Sequence, residues 1–114
     1  MEPTFHSGEV LLMHRCRAST ALNRFDVVVA RAGNEFVLKR IVGLPGEVVR
    51  MEEDVIFVNG KKLDEPFPHV KGGSNADPGL VPEGSYLLIG DNRENSAKVV
   101  LIVERSAIVA RLKM

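Results

Sequence analysis

Short runs of alternating or β-branched residues, separated by turn-forming residues, most constrain what this chain can fold into. The clearest run, 35–42, alternates with the period of two that a half-buried β-strand requires. No stretch shows a sustained helical period, and we find no internal repeat. Strands are predicted at 9–14, 26–31, 35–42, 47–51, 55–58, 86–89 and 107–112, and the apolar run 99–103 has the length of a buried strand.

The strongest local signal is a hairpin turn at Asn59-Gly60. Both residue types tolerate the positive φ angles that a type I′ turn demands. The turn predicts a hairpin that pairs 55–58 with 61–63.

The segment 64–84 differs from the rest because it holds four prolines and four glycines. A loop of this length without regular structure is uncommon in a compact domain and is usually functional or mobile. Short strands with one long excursion predict a mainly β, Greek-key or barrel-like antiparallel fold. We expect one domain, 1–114, in which 64–84 is either a mobile loop or a simple surface insertion.

Charge and length exclude several classes of function. The 15 Lys and Arg residues balance the 15 Asp and Glu residues, so no broad basic field attracts nucleic acid. No apolar run approaches the ~20 residues of a membrane-spanning helix. Membrane association would therefore require residues outside this chain. No cofactor or metal site is expected.

Lys39 is the candidate functional residue on the clearest strand. Alternation places it on one face together with Val37 and Ile41. A lysine between apolar neighbours is partly desolvated, which lowers its pKa and allows it to act as a general base. The alternative is an edge-strand lysine whose ammonium reaches water.

Three segments in order resemble the bacterial signal peptidase I family. They are MEPTF at 1–5 with GEVLL at 8–12, KRIVGLPGE at 39–47, and GDNRENS at 90–96. VNG at 58–60 also falls where the family has its hairpin. The resemblance covers essentially the whole chain.

The resemblance implies a Ser–Lys dyad endopeptidase that removes signal peptides at the extracytoplasmic face of a membrane. Lys39 would be the general base, and the Ser96 hydroxyl would hold its amine in position, so we expect Lys39 to be mostly buried near Ser96. Arg40 would lie on the opposite strand face and pair with Asp91. The resemblance also implies that Arg40, Asp91, Asn92 and Arg93 support the site, and that Met1, Pro3 and Thr4 remain from the family's nucleophile segment.

The chain departs from the family pattern at four places, of which Glu9 in place of the family's aspartate is a mild one. The family's nucleophilic serine stands directly before the methionine that matches Met1, so no residue of this chain occupies its position. After Ser96 the chain has Lys98-Val99-Val100 instead of Asp-Ser-Arg. Phe25 stands where the family usually has a glycine.

Three functions remain open. The first is a signal peptidase I catalytic domain that is inactive as given, either because the piece begins after the nucleophile or because catalysis has been lost. The second is a non-catalytic module that binds extended signal-peptide segments. The third is a self-cleaving repressor-type peptidase, which would need a DNA-binding domain and a cleavage site ahead of the nucleophile.

Overall fold

The computed structural model describes residues 13–15, 21–53, 55–64, 76–90 and 100–112. Antiparallel strands account for most of these residues, with a single 3₁₀ turn at Arg105–Ala107. The strands are β1 Met13–Arg15, β2 Val27–Ala32, β3 Glu35–Gly43, β4 Val48–Glu52, β5 Val55–Val58, β6 Lys61–Lys62, β7 Ala76–Leu80, β8 Ser85–Ile89, β9 Val100–Glu104 and β10 Ile108–Leu112.

The strands form two sheets. The large sheet has the order β1-β10-β2-β3-β8-β9, and the small sheet has the order β6-β5-β4-β7. All pairs are antiparallel, which confirms the predicted mainly β fold. In the part of the chain that the structure describes, the large sheet is open, with β1 and β9 at its edges. Within the same part, no helix is long and apolar enough to cross a membrane.

Two apolar clusters pack against opposite faces of β3. Neighbouring residues of a strand point to opposite faces, so Val42 enters one cluster and Ile41 the other. The first cluster joins the two sheets and contains Val42, Val49, Met51, Ile56, Val81, Leu87 and Ile89. The second belongs to the large sheet and contains Val28, Ala30, Ile41, Leu88, Val103 and Ile108. Burial of β3 from both sides fixes its position in the fold.

The predicted hairpin is confirmed. Phe57 pairs with Lys62 and Val58 with Lys61. Asn59 and Gly60 have φ angles of 51° and 82°, as a type I′ turn requires. The sequence therefore determines this turn locally.

The prediction of an irregular excursion over 64–84 is wrong in its second half. Residues 76–80 form β7, which pairs with β4, and Val81 is fully buried. β7 is an edge strand, where proline is tolerated because one side of the strand needs no hydrogen-bond donor, so Pro78 does not prevent pairing. Residues 65–75 lie outside the described part of the chain, and the mobility of this stretch stays a prediction.

The turn from Asn23 to Asp26, hereafter the 23–26 turn, contains a strained residue. Asp26 N–H donates to the Asn23 carbonyl at 3.1 Å, and Phe25 has a φ angle of 73°. A positive φ at the third position of such a turn favours glycine, because a side chain there crowds the backbone. Phe25 therefore adopts a backbone conformation that favours glycine, the residue that the signal peptidase I family usually has at this position.

We expect Phe25→Gly to be more stable than Phe25→Ala by about 1 kcal/mol, because both variants lose the ring and only alanine keeps the left-handed strain. Denaturant unfolding of both variants measures this difference. At Val29, on extended backbone in β2, the same pair should rank in the usual order, with alanine above glycine. Alanine ranking above glycine at position 25 would show that the turn does not hold this conformation in solution.

Candidate active site

Lys39 lies in the middle of β3, on the face of the second apolar cluster. Its cross-strand partner on β2 is Val28, a fully buried member of that cluster. Val37 and Ile41, its neighbours on the same strand face, belong to the same cluster. The side chain is partly buried. The predicted proximity of its amine to Ser96 stays a prediction, because Ser96 lies outside the described residues. Desolvation by burial lowers the pKa of the Lys39 amine below its ordinary value.

Gly90 lies beside the Lys39 amine. β8 pairs Arg40 with Ile89, and extending this register by one residue places Gly90 opposite Lys39. A Cβ atom at Gly90 would lie 3.5 Å from Lys39 Nζ, so the absence of a side chain there leaves room for the amine. The cross-strand register cannot be read from either segment alone, so the sequence did not predict that Gly90 lies beside Lys39.

Arg40 is a buried cation on the opposite face of β3. It is 7% exposed, and its Nη1 donates to the Phe25 carbonyl at 2.9 Å. This hydrogen bond connects β3 to the 23–26 turn. The sequence did not predict this contact. The predicted pairing with Asp91 is not tested, because Asp91 lies outside the described residues.

The remaining predicted site residues also lie outside the described part of the chain. They are Ser96, Asp91, Asn92 and Arg93 of the third segment and Met1, Pro3 and Thr4 of the first. The structure nevertheless brings Lys39 Nζ to Gly90, the residue that begins the third segment. Of the predicted site residues, the structure therefore describes Lys39 and Arg40.

The first half of β3 has one side that no described strand covers. Phe25 N–H donates to the Ile41 carbonyl at 2.7 Å, and Ile41 N–H donates to the Asp26 carbonyl at 2.8 Å, so both groups of Ile41 point toward β2. Successive strand residues point their backbone groups to alternate sides, so those of Leu38 and Phe36 point away from β2. Among the described strands, β8 alone lies on that side, and it pairs only with the second half of β3. This edge could accept an extended peptide.

An ion pair stands at the end of β3, where Arg24 holds Glu47. Arg24 Nη1 and Nη2 donate to Glu47 Oε1 and Oε2 at 2.8 and 2.6 Å, which is the bidentate geometry that makes such pairs strong. The hydrogen bond from Arg24 is the main cause that lowers the pKa of the Glu47 carboxyl, and its counterpart raises the pKa of Arg24. Sequence reasoning missed this pair, since 23 positions separate the two residues.

This arrangement can supply a proton acceptor beside a strand edge. A lysine with a lowered pKa is neutral in part at a lower pH than a solvated lysine, and its lone pair can then take a proton from a hydroxyl. Within the described ranges, no group of three or more His, Cys, Asp or Glu side chains could hold a metal ion. The chemistry that the partly buried Lys39 amine supports is acid–base chemistry.

Comparison with known proteins gives consistent matches along the whole chain. The family described as signal peptidase, peptidase S26, matches residues 1–114. Signal peptidase I of Bacillus licheniformis is 37% identical over 109 residues, covering 84% of this chain and 59% of the relative. Signal peptidase IB of Staphylococcus aureus is 33% identical over 134 aligned positions, covering 98% of this chain and 70% of the relative.

A solved structure has the same fold. The crystal structure of a signal peptidase I from Enterococcus faecalis matches with a TM-score of 0.68 and 25% identity, covering 82% of this chain and 98% of that one. Alignments with relatives from two Bacillus species span 59% and 65% of their lengths, so the chain corresponds to a part of these proteins.

Proposed function

Because the chain belongs to the signal peptidase family, we propose that it is the catalytic domain of a Ser–Lys dyad endopeptidase that removes signal peptides from exported preproteins. One observation carries the proposal: the half-buried Lys39 amine, whose pKa is lowered by burial, reaches Gly90 at the start of the third matched segment. A solvated surface lysine would not be suited to act as a base near neutral pH.

In the proposed mechanism, Lys39 activates a serine that stands directly before Met1 in the family pattern. The neutral amine accepts the serine proton as the hydroxyl oxygen attacks the scissile carbonyl. The resulting ammonium then gives this proton to the leaving amine, and an acyl-enzyme forms. A water molecule, deprotonated by the same amine, hydrolyses the ester. The Ser96 hydroxyl is proposed to orient the amine throughout.

The preprotein segment is proposed to bind in extended form along the side of the first half of β3 that no described strand covers. The outward-pointing backbone groups of Phe36 and Leu38 would form the hydrogen bonds of an added strand. This edge ends at Lys39, so a segment bound there would bring a peptide bond to the base. Small residues at the cleavage site, in the Ala-x-Ala pattern, are part of the proposal.

The proposed place of action is the extracytoplasmic face of the cell membrane. The residues that would attach the protein to the membrane are proposed to lie outside this chain. The 114 residues are then the piece that holds the base and the strand edge.

A non-catalytic peptide-binding function is the second candidate. The observation that favours it is the side of the first half of β3 that no described strand covers. Such a module would hold a signal-peptide segment without cutting it.

We expect the chain as given not to cleave a signal-peptide substrate, whereas an extended chain with several native-like family residues and a serine directly before Met1 should cleave it. The physical reason is that acyl transfer needs a nucleophile within hydrogen-bond reach of the base. Mass spectrometry of a peptide with an Ala-x-Ala site measures the cut. The same extension with alanine in place of the serine is the matched control. Binding without cleavage by the serine-extended chain would favour the non-catalytic module.

A further inference from the structure

The 23–26 turn forms hydrogen bonds with the three residues of β3 that follow Lys39. The bonds lie close together and engage both side chains and backbone. Arg40 Nη1 donates to the turn at the Phe25 carbonyl, both backbone groups of Ile41 bond to the turn, and the Val42 carbonyl accepts from Arg24 Nη1 at 2.7 Å. β8 pairs with Arg40 and Ile41 from the other side. The position of β3 directly beyond Lys39 is therefore fixed from both sides.

Glu47, in the turn after β3, stabilises these hydrogen bonds because it binds Arg24. Its carboxylate accepts both guanidinium bonds from Arg24 and a bond from the Leu44 N–H at 2.7 Å. The Arg24 and Glu47 side chains are only 25% and 16% exposed, so solvent screens the pair little. Glu47 therefore holds Arg24 in the orientation in which it reaches the Val42 carbonyl.

We propose that Arg24 and Glu47 are positioning residues that set where the Lys39 amine lies against Gly90. They act through β3 and touch neither the amine nor a substrate. If the pair is broken, the end of β3 is held less firmly and the Lys39 side chain gains access to water. The catalytic meaning of this role rests on the proposed function, but the placement of the amine does not.

The groups that surround Lys39 make the effect measurable. Its described neighbours on the same face are uncharged, namely Val28 on β2 and Gly90 after β8. The titratable groups on that face of the large sheet are Glu35 on β3, Tyr86 on β8, Asp26 before β2 and Arg111 on β10. The Asp26 and Arg111 side chains approach each other at 3.7 Å. Desolvation is the cause of the lowered Lys39 pKa, so the pKa of Lys39 reports how well the amine is shielded from water.

The test is an NMR titration of the Lys39 amine in the full chain as given, in the unsubstituted protein, Glu47→Gln and Arg24→Lys. We expect the Lys39 pKa to rise toward that of a solvated lysine in both variants. Removing a carboxylate takes away negative charge that favours the ammonium, so the charge change by itself would lower the pKa of Lys39. A rise of this pKa in Glu47→Gln therefore reports increased solvation of the amine and not the change of charge. Arg24→Lys keeps the charge and removes the bidentate fork, which separates geometry from electrostatics.

Glu52→Gln is the matched control. It removes the carboxylate of the exposed Arg50–Glu52 pair on the small sheet, which takes no part in the hydrogen bonds between the 23–26 turn and β3. This substitution should leave the pKa of Lys39 unchanged. An unchanged or lowered Lys39 pKa in both folded variants, with reduced resistance to denaturant, would show that the pair only stabilises the fold and would overturn the proposal.

A kinetic measurement separates this proposal from the proposed function. In the serine-extended chain, Glu47→Gln should lower kcat by about 10- to 100-fold with little change in KM, the order of magnitude expected when a catalytic group is misplaced. Absence of cleavage by the extended chain without further substitution would contradict the proposed function alone. The titration result would stand in that case.

Discussion

In a chain that carries a serine directly before Met1, Lys39→Ala is expected to lower kcat for signal-peptide cleavage by at least about 1000-fold. Alanine has no lone pair to accept the serine proton, and no described residue beside Lys39 offers one: Val28 and Gly90 are both non-basic. Steady-state cleavage of an Ala-x-Ala peptide measures the loss. KM should change little, because the proposed substrate contacts are backbone groups of β3.

Lys62→Ala is the control for this experiment, since it removes an exposed lysine from the edge strand of the small sheet. It should retain the activity of the extended chain. Substantial cleavage by Lys39→Ala would mean that another residue accepts the proton, and the Ser–Lys assignment would then have to be abandoned.

Gly43→Ala should destabilise the fold by about 2 kcal/mol, or lower the melting temperature by about 10 °C. A Cβ atom at this position would lie 2.7 Å from Leu87 Cβ, 3.1 Å from Val49 Cγ2 and 3.2 Å from Val81 Cγ2. The nearest atom is the first carbon of its side chain, which cannot rotate away, so β3 and β8 would have to move apart. Thermal unfolding followed by circular dichroism measures the loss.

The matched control is Gly90→Ala, where the one described atom that the added Cβ meets is Nζ at the end of the flexible Lys39 side chain, at 3.5 Å. Neither glycine has a positive φ angle, so the pair differs in the space around the Cβ and not in backbone strain. Equal stability of the two variants would show that β3 and β8 do not approach as closely in solution as in this structure.

Local patterns predicted the parts of the fold that local physics determines. The turn at Asn59-Gly60 needs two positive φ angles, which few residue pairs accept. These two residues were therefore enough to predict the hairpin. The face on which Lys39 lies follows from the two-residue period of β3. The sequence also predicted a lowered pKa for Lys39, and the desolvation that causes it is present.

Contacts between distant segments could not be predicted in this way. β7 contains Pro78 and Gly79, which argue against a strand, yet pairing with β4 and burial of Val81 outweigh the local preference. The approach of Lys39 to Gly90 depends on the register between β3 and β8. The Arg24–Glu47 pair likewise depends on how the chain folds back over β3, which no spacing in the sequence encodes.

The pH dependence of kcat/KM in the serine-extended chain tests most directly the claim that Lys39 is a desolvated general base. The base is active when neutral, so activity should rise with pH and level off once the amine has lost its proton. Because burial lowers the pKa of Lys39, the midpoint of this rise should lie below the ordinary lysine value of 10.5. A midpoint at or above that value, or activity that falls over this range, would contradict the account.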